Sequence, residues 1–225
     1  MDGSDMKSPG GAAVDRMDIM FAALLGLVFL LVKVVQTGFP ALQADRTTVD
    51  VVISTPLIGY ILFRARKEPR KLDEWGLTAR LTPSALLVAT VMMACAAAML
   101  AVCGAAVAGK VPFEPRYIAQ IIGYIPAAFP QQFALCSVGL VTLAKFRPFR
   151  GQWRLPLAVG LAFCLAHFWT PARIPGTIIP IQMLITFPAG FFAAYYFARF
   201  RSILPLTAIH AVAYPLLNNW IERAL

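Results

Sequence analysis

Residues 117–144 read YIAQIIGYIPAAFPQQFALCSVGLVTLA, and no Asp, Glu, Lys or Arg interrupts the run between Arg116 and Lys145. An α-helix rises 1.5 Å per residue and needs roughly 20 apolar residues to cross a hydrocarbon core. This run is long enough to do so, and its apolar residues come as a block instead of an amphipathic period. It therefore reads as a transmembrane helix, with Gln131 and Gln132 as polar exceptions that need an explanation.

The pattern recurs on both sides. Further apolar blocks at 18–39, 50–63, 83–108, 155–170, 177–197 and 203–220 complete the set. The blocks at 50–63 and 155–170 are short and must borrow flanking residues or sit where the bilayer is thinned. Pro126, Pro130, Pro180, Pro188 and Pro215 fall inside these blocks, which helices packed among other helices tolerate. Composition agrees: 59% of the 225 residues are hydrophobic and 14% are charged, against roughly 45–50% and 25% in soluble domains. The expected fold class is all-α, a polytopic membrane helical bundle of about seven transmembrane helices.

Charge sets the orientation. With the N-terminus cytoplasmic, all of the 20 Lys and Arg residues except Lys33, Arg46, Lys110, Arg116, Arg173 and Arg223 fall on the inner side. That asymmetry is what the positive-inside rule requires, so the expected localisation is the cytoplasmic (inner) membrane, multi-pass. The net charge of +9 reads as topology and contact with anionic membrane lipids. Nucleic acid is not an expected partner, because no basic stretch is interleaved with exposed aromatics in a soluble module.

Three regions follow. Residues 1–16 are a disordered N-terminal tail, Gly/Ser/Asp-rich over 1–14. Residues 17–71 hold two N-terminal transmembrane helices and a basic loop, with 64–80 lying along the cytoplasmic surface. Residues 72–225 form the core. The first apolar block reads as an uncleaved signal anchor. Cys95, Cys103, Cys136 and Cys164 all lie in apolar blocks without CxxC spacing, so they read as structural thiols and not as a disulfide framework or zinc site.

Polar side chains are costly in lipid, and function has to be sought among them. Besides Gln131 and Gln132 there are His167, His210 and Tyr214, and the two histidines are the only ones in the chain. Counting 1.5 Å per residue from Lys145, Arg154 and Arg201 puts Gln132, His167 and Tyr214 ~20 Å deep and His210 and Cys136 ~14 Å deep. Three helices thus bring polar groups into one slab, which predicts a shared pocket near the bilayer middle. The plainer reading of each residue alone is interhelical glue, worth about 0.6–2 kcal/mol.

The spacing of these residues resembles a known family, the CPBP or Abi intramembrane proteases, which include CAAX prenyl endopeptidases and bacteriocin-processing enzymes. Its motifs are EExxxR on one core helix, FxxxH on the next and HxxxN on a later one. Gln131-Gln132-Phe133-Ala134-Leu135-Cys136 stands at the first, Phe163 to His167 matches the second, and His210 to Tyr214 stands at the third. Glu74-Trp75-Gly76-Leu77 resembles the family's short segment before its first core helix. The run from Phe200-Arg201-Ser202 through Pro205 to His210 resembles its approach to the last histidine. The likeness extends over residues 72–219.

The resemblance implies the fold and a site, and the departures bear on activity. In the family the first glutamate is thought to activate water, supported by the histidines and the asparagine. Here both glutamates are glutamines, the arginine is Cys136 and the asparagine is Tyr214. An amide nitrogen is not a proton acceptor, so neither glutamine can act as general base. Between Glu114 and Glu222 there is no Asp or Glu at all. That removes glutamic, aspartic and Glu-assisted zinc hydrolysis of the usual design.

The reading with most weight is a pseudoenzyme: a CAAX protease-like fold with degenerate catalytic positions Gln131, Gln132, Cys136, His167, His210 and Tyr214. Its expected partners are membrane lipids and another membrane protein, transmembrane segment or lipidated peptide. The runner-up is an active hydrolase using Cys136 or Ser137 with a histidine, or a modified parent reaction. A third reading lets His167 and His210 ligate a haem or metal, although no cofactor is expected on the leading one. A transporter weighs least, since no charged residues line a path.

Overall fold

The computed structural model describes residues 15–38, 46–109, 114–149, 153–168 and 178–224; within these, side chains at 29, 33, 36–38, 46–53, 103, 107–108, 166–168, 178–182 and 218–224 lie outside the description. The proposed tail over 1–14 also lies outside it. Helices α1 (Arg16–Gly38), α2 (Arg46–Lys67), the short α3 (Arg70–Glu74) and α4 (Pro83–Ala108) are followed by α5 (Arg116–Gln132). That helix runs on through a π-helical stretch, Phe133–Leu140, into a last turn, Val141–Leu143. Then come α6 (Arg154–Phe168), α7 (Ile178–Phe200) and α8 (Leu204–Ala224). Among the described residues there is no strand. Pro83–Ala106, Arg116–Leu143 and Met183–Phe200 are long and apolar enough to cross a membrane, and Arg154–Leu165 and Leu204–Leu217 are shorter apolar helices.

Local chemistry explains several boundaries. Thr82 caps α4 by accepting the Ala85 N–H at 3.2 Å, and Pro83 follows where its missing N–H costs nothing. The block at 50–63 gains length because α2 extends to Lys67, past the basic residues Arg64 and Arg66. Large apolar side chains such as Met20, Leu87, Val102, Ile122 and Leu184 are exposed, as expected of helices solvated by hydrocarbon.

Glycines set the tightest crossing, between α6 and α7. A Cβ added at Gly190 would lie 2.6 Å from Phe163 Cβ and 3.1 Å from Gly160 Cα. Small residues at this crossing let the two backbones meet, and α6 is the helix that carries Phe163 and His167. Helix α8 packs on α4 and α5, α2 packs on α5, and α1 touches α2 and the π-helical stretch.

The stretch 64–80 is tied to the helices beside it. Arg66, Lys67, Arg70 and Arg80 are exposed, but Lys71 is buried and Trp75 is 0% exposed. The physical reason is an ion-pair cluster that pulls it inward. Asp18 accepts from Lys71 Nζ and from Tyr60 OH, each at 2.5 Å. Arg64 pairs with Asp15 and with Glu68, and Lys71 also reaches Asp15 and Glu74 at 3.2 and 3.1 Å. Lys145, just after α5, pairs with Glu74 at 3.2 Å. Four separated pieces of chain are therefore clamped at one end of the bundle. Trp75 sits above this clamp against Tyr60 and edge-on to Phe133, 5.2 Å between ring centroids.

Gly76 joins the two outlying motif segments. Its φ of +72° is open to glycine, and a Cβ there would lie 2.5 Å from the Arg201 carbonyl oxygen. The Gly76 carbonyl accepts the Ile203 N–H at 3.2 Å. The segment before α4 and the turn before α8 are thus one contact, which gives a structural reason for both to carry recognisable sequence.

Candidate functional site

The site is built from α5, α6 and α8. Seven residues make two helical turns, so Tyr124 and Gln131 lie on one face of α5, and Tyr124 OH donates to Gln131 Oε1 at 3.2 Å. Gln132 points to α8: its Nε2 lies 2.8 Å from His210 Nδ1. One turn on, the Cys136 thiol donates to Gln132 Oε1 at 3.7 Å. Because the carbonyl end of Gln132 takes the thiol, its amino end faces the imidazole and donates to Nδ1. The ring proton then sits on Nε2, which faces Tyr124 OH at 3.5 Å.

These hydrogen bonds all run in one direction. The order runs from Cys136 to Gln132, from Gln132 to His210, from His210 to Tyr124 and from Tyr124 to Gln131. Gln132, Cys136 and His210 are buried, where an unmet polar group would cost about 1–3 kcal/mol. Rings complete the surroundings. Tyr214 stacks on Tyr124 at 4.8 Å and lies parallel to His210 at 5.9 Å, while Phe163 presents its edge to His210 at 6.2 Å.

The structure brings Gln131, Gln132, Cys136, His210 and Tyr214 together. The backbone of His167 lies in α6, and its side chain lies outside the described residues. Phe163, one turn earlier on the same helix, faces His210 and places that face of α6 toward the cluster. Among the described residues no three His, Cys, Asp or Glu side chains gather closely enough to hold a metal. Ser137 is fully buried and spends its hydroxyl proton on the Trp75 carbonyl at 2.6 Å. Among the described residues, Cys136 and Ser137 therefore hydrogen-bond to an amide and to the main chain.

Two features escape a reading of the sequence motifs. Tyr124 links Gln131 to His210, and its i, i+7 spacing from Gln131 was the available signal. The π-helical stretch Phe133–Leu140 has no such signal beyond Gly139, where a Cβ would lie 3.0 Å from the Ala134 carbonyl oxygen. Such wide turns interrupt α-helices most often at functional sites. Here the stretch turns Cys136 toward Gln132 and Ser137 toward Trp75, so the cluster and the Trp75 contact are carried by one irregular segment.

As a chemical device the cluster is a neutral hydrogen-bond relay lined by aromatic rings. Among its described members, the only group that could accept a proton is His210, and its Nδ1 lone pair is occupied by the Gln132 amide. Residues 119–214 match the family model described as Type II CAAX prenyl endopeptidase Rce1-like, a span that contains every residue of the cluster. No curated protein and no solved structure matches the chain.

Proposed function

Residues 119–214 match the Rce1-like model of CAAX prenyl endopeptidases, and we propose that the chain is a catalytically silent relative of that family, holding a membrane-embedded partner in place of cleaving one. On this reading its seven long helices all span the cytoplasmic membrane, with the N-terminus inside. The partner is a transmembrane segment, a lipidated peptide or another subunit of a membrane complex.

One observation carries the proposal. The position at which the family is thought to keep its water-activating carboxylate is a glutamine pair, and Gln132 donates to His210 at 2.8 Å. A carboxylate there would accept from the ring and leave it able to hold a positive charge. The amide supports the opposite arrangement, a neutral ring with its Nδ1 lone pair engaged. With no Asp or Glu between Glu114 and Glu222, no neighbouring segment of the core supplies a replacement.

The test compares the native protein with the variant Gln131→Glu/Gln132→Glu/Cys136→Arg/Tyr214→Asn in nanodiscs. Both receive prenylated and transmembrane peptides. The expected result is binding without cleavage by the native chain and measurable cleavage by the variant. Native cleavage that disappears in His167→Ala overturns the proposal.

A further inference from the structure

A second feature lies on the outside of the α6–α7 pair. Trp153, just ahead of α6, is 54% exposed. Its ring stacks on two side chains of α7, Phe191 at 6.2 Å and Tyr195 at 5.8 Å, with interplanar angles of 4° and 12°. Arg154 follows Trp153, and Arg199 stands one turn beyond Tyr195 on the same face of α7. Both arginines are exposed.

Among the described residues these guanidinium groups have no internal counter-charge. The chain has no Asp or Glu between Glu114 and Glu222. Among the described residues, the ion pairs engage Arg64, Lys71, Arg116 and Lys145 only. Arginine's planar fork matches a phosphate with two parallel hydrogen bonds. A Trp/Tyr pair at the end of an apolar helix face is suited to the headgroup boundary of a bilayer.

We propose that Trp153, Phe191 and Tyr195, together with Arg154 and Arg199, form a binding site for one anionic phospholipid. The headgroup phosphate sits between the two guanidinium groups and an acyl chain runs along the ring ladder. The proposal rests on the chain being membrane-embedded and is independent of whether its core cleaves anything. Its occupant is a lipid and not free phosphate, because the rings supply the apolar half of the site.

The experiment is native mass spectrometry of the full chain released from detergent containing equal phosphatidylglycerol and phosphatidylcholine of matched acyl chains. The native protein is expected to retain phosphatidylglycerol preferentially. Arg154→Gln/Arg199→Gln is expected to weaken that retention by on the order of thirtyfold, at about fivefold per arginine near a membrane surface. Trp153→Leu lowers retention of both lipids, and millimolar inorganic phosphate displaces neither. The control is Arg66→Gln/Lys67→Gln, which removes equal charge from the exposed end of α2 and leaves retention within twofold. Equal retention of the two lipids by the native chain overturns the site. So does a control variant as impaired as the Arg154/Arg199 variant, since that would show diffuse positive charge to be sufficient, and so does displacement by free phosphate.

Discussion

Replacing Gly190 by Ala tests how the fold positions the site. The new Cβ would lie 2.6 Å from Phe163 Cβ and 3.1 Å from both Phe163 Cγ and Gly160 Cα. Ordinary carbon–carbon contact is about 3.5–4.0 Å, so α6 and α7 must part by roughly 1 Å at their crossing. Two of the three clashing atoms are a Cβ and a Cα, which no rotamer change can move. Overpacking of this kind costs about 1–3 kcal/mol. Over a chain of 225 residues that is a fall in Tm of roughly 2–12 °C, at about 2–4 °C per kcal/mol. Gly123 is the matched control, because a Cβ there meets nothing within 4 Å. Gly123→Ala should be neutral or stabilising by up to about 1 kcal/mol through helix propensity. The assay is thermal unfolding in detergent, followed by circular dichroism, with peptide binding measured in parallel. Parting the helices also moves Phe163 away from His210, so Gly190→Ala should weaken binding at temperatures where the protein is still folded. A Gly190→Ala protein with the Tm and affinity of Gly123→Ala would refute the reasoning.

Other expectations concern the clamp and the π-helical stretch. Asp18→Asn removes one of three carboxylates around the buried Lys71 and should cost about 1–3 kcal/mol, less than the loss of a sole buried partner because Asp15 and Glu74 remain. Adding Lys71→Met should recover part of that loss in a double-mutant cycle, and additive losses would count against the pair. Burial works to raise the Asp15 and Glu74 carboxyls, but hydrogen bonds and charge from Lys71, with Lys145 acting on Glu74, outweigh it and hold both below the ordinary range. Carboxyls lowered on folding stabilise above their unfolded values of roughly 4 and lose that contribution as pH falls through the folded ones. Burial also works to lower Lys71, and its bonds to Asp18 and Glu74 hold it above the ordinary lysine range, so its contribution is complete below about pH 10 and fades only above that. The clamp should therefore leave Tm flat between about pH 7.5 and 9 and lower it below about pH 4, and a marked slope between about pH 7.5 and 9 would contradict the clamp. Ser137→Ala strands the Trp75 carbonyl and should cost about 1–3 kcal/mol in chemical unfolding, more than Thr142→Ala, which removes a hydroxyl from the helix end beyond the cluster.

Much of the helical layout was legible because one solvent rule dominates. Where lipid is the solvent, apolar blocks are long and conspicuous, and the blocks at 83–108 and 117–144 fall within a residue of α4 and of the continuous α5 rod. The nearness of Gln132 and His210 was legible too, since rise per residue converts distance along a helix into depth. What spacing could not give is the direction of the hydrogen bonds, which depends on rotation about each helix axis. The ion-pair clamp around residues 64–80 was hidden for a related reason. Its basic residues were read against the membrane alone, whereas Lys71 and Arg64 find carboxylates at the start of α1 and just before it, more than 40 residues earlier, at Asp18 and Asp15. Long-range ion pairing has no periodic signature. The π-helical stretch was hidden because residues 133–140 are apolar apart from Ser137 and look like ordinary helix.

The four departures from the family pattern make sense together when the cost of an idle site is considered. A buried carboxylate in an apolar bundle must be paired or solvated, and an arginine one turn away, as at the position of Cys136, is the natural partner. Removing only the carboxylate would leave that guanidinium uncompensated in the core, a penalty of several kcal/mol. Here both charges are absent, and what replaces them bonds directly: the Cys136 thiol reaches Gln132 Oε1 at 3.7 Å. The third replacement fits the same logic. Tyr214 does not reproduce an asparagine's donors but stacks on Tyr124 at 4.8 Å, filling space against the residue that links Gln131 to His210. On the proposed reading, these changes convert a site balanced by charge into one closed by neutral hydrogen bonds and ring packing. Restoring Glu at 132 alone should then destabilise the protein, because the buried carboxylate would face a thiol where the pattern places an arginine. Gln132→Glu/Cys136→Arg should be markedly more stable than Gln132→Glu by itself, as read by thermal unfolding in detergent. If the single variant proves as stable as the pair, the charge at 132 is compensated by something other than position 136, and the coupled loss of the two charges no longer explains the sequence.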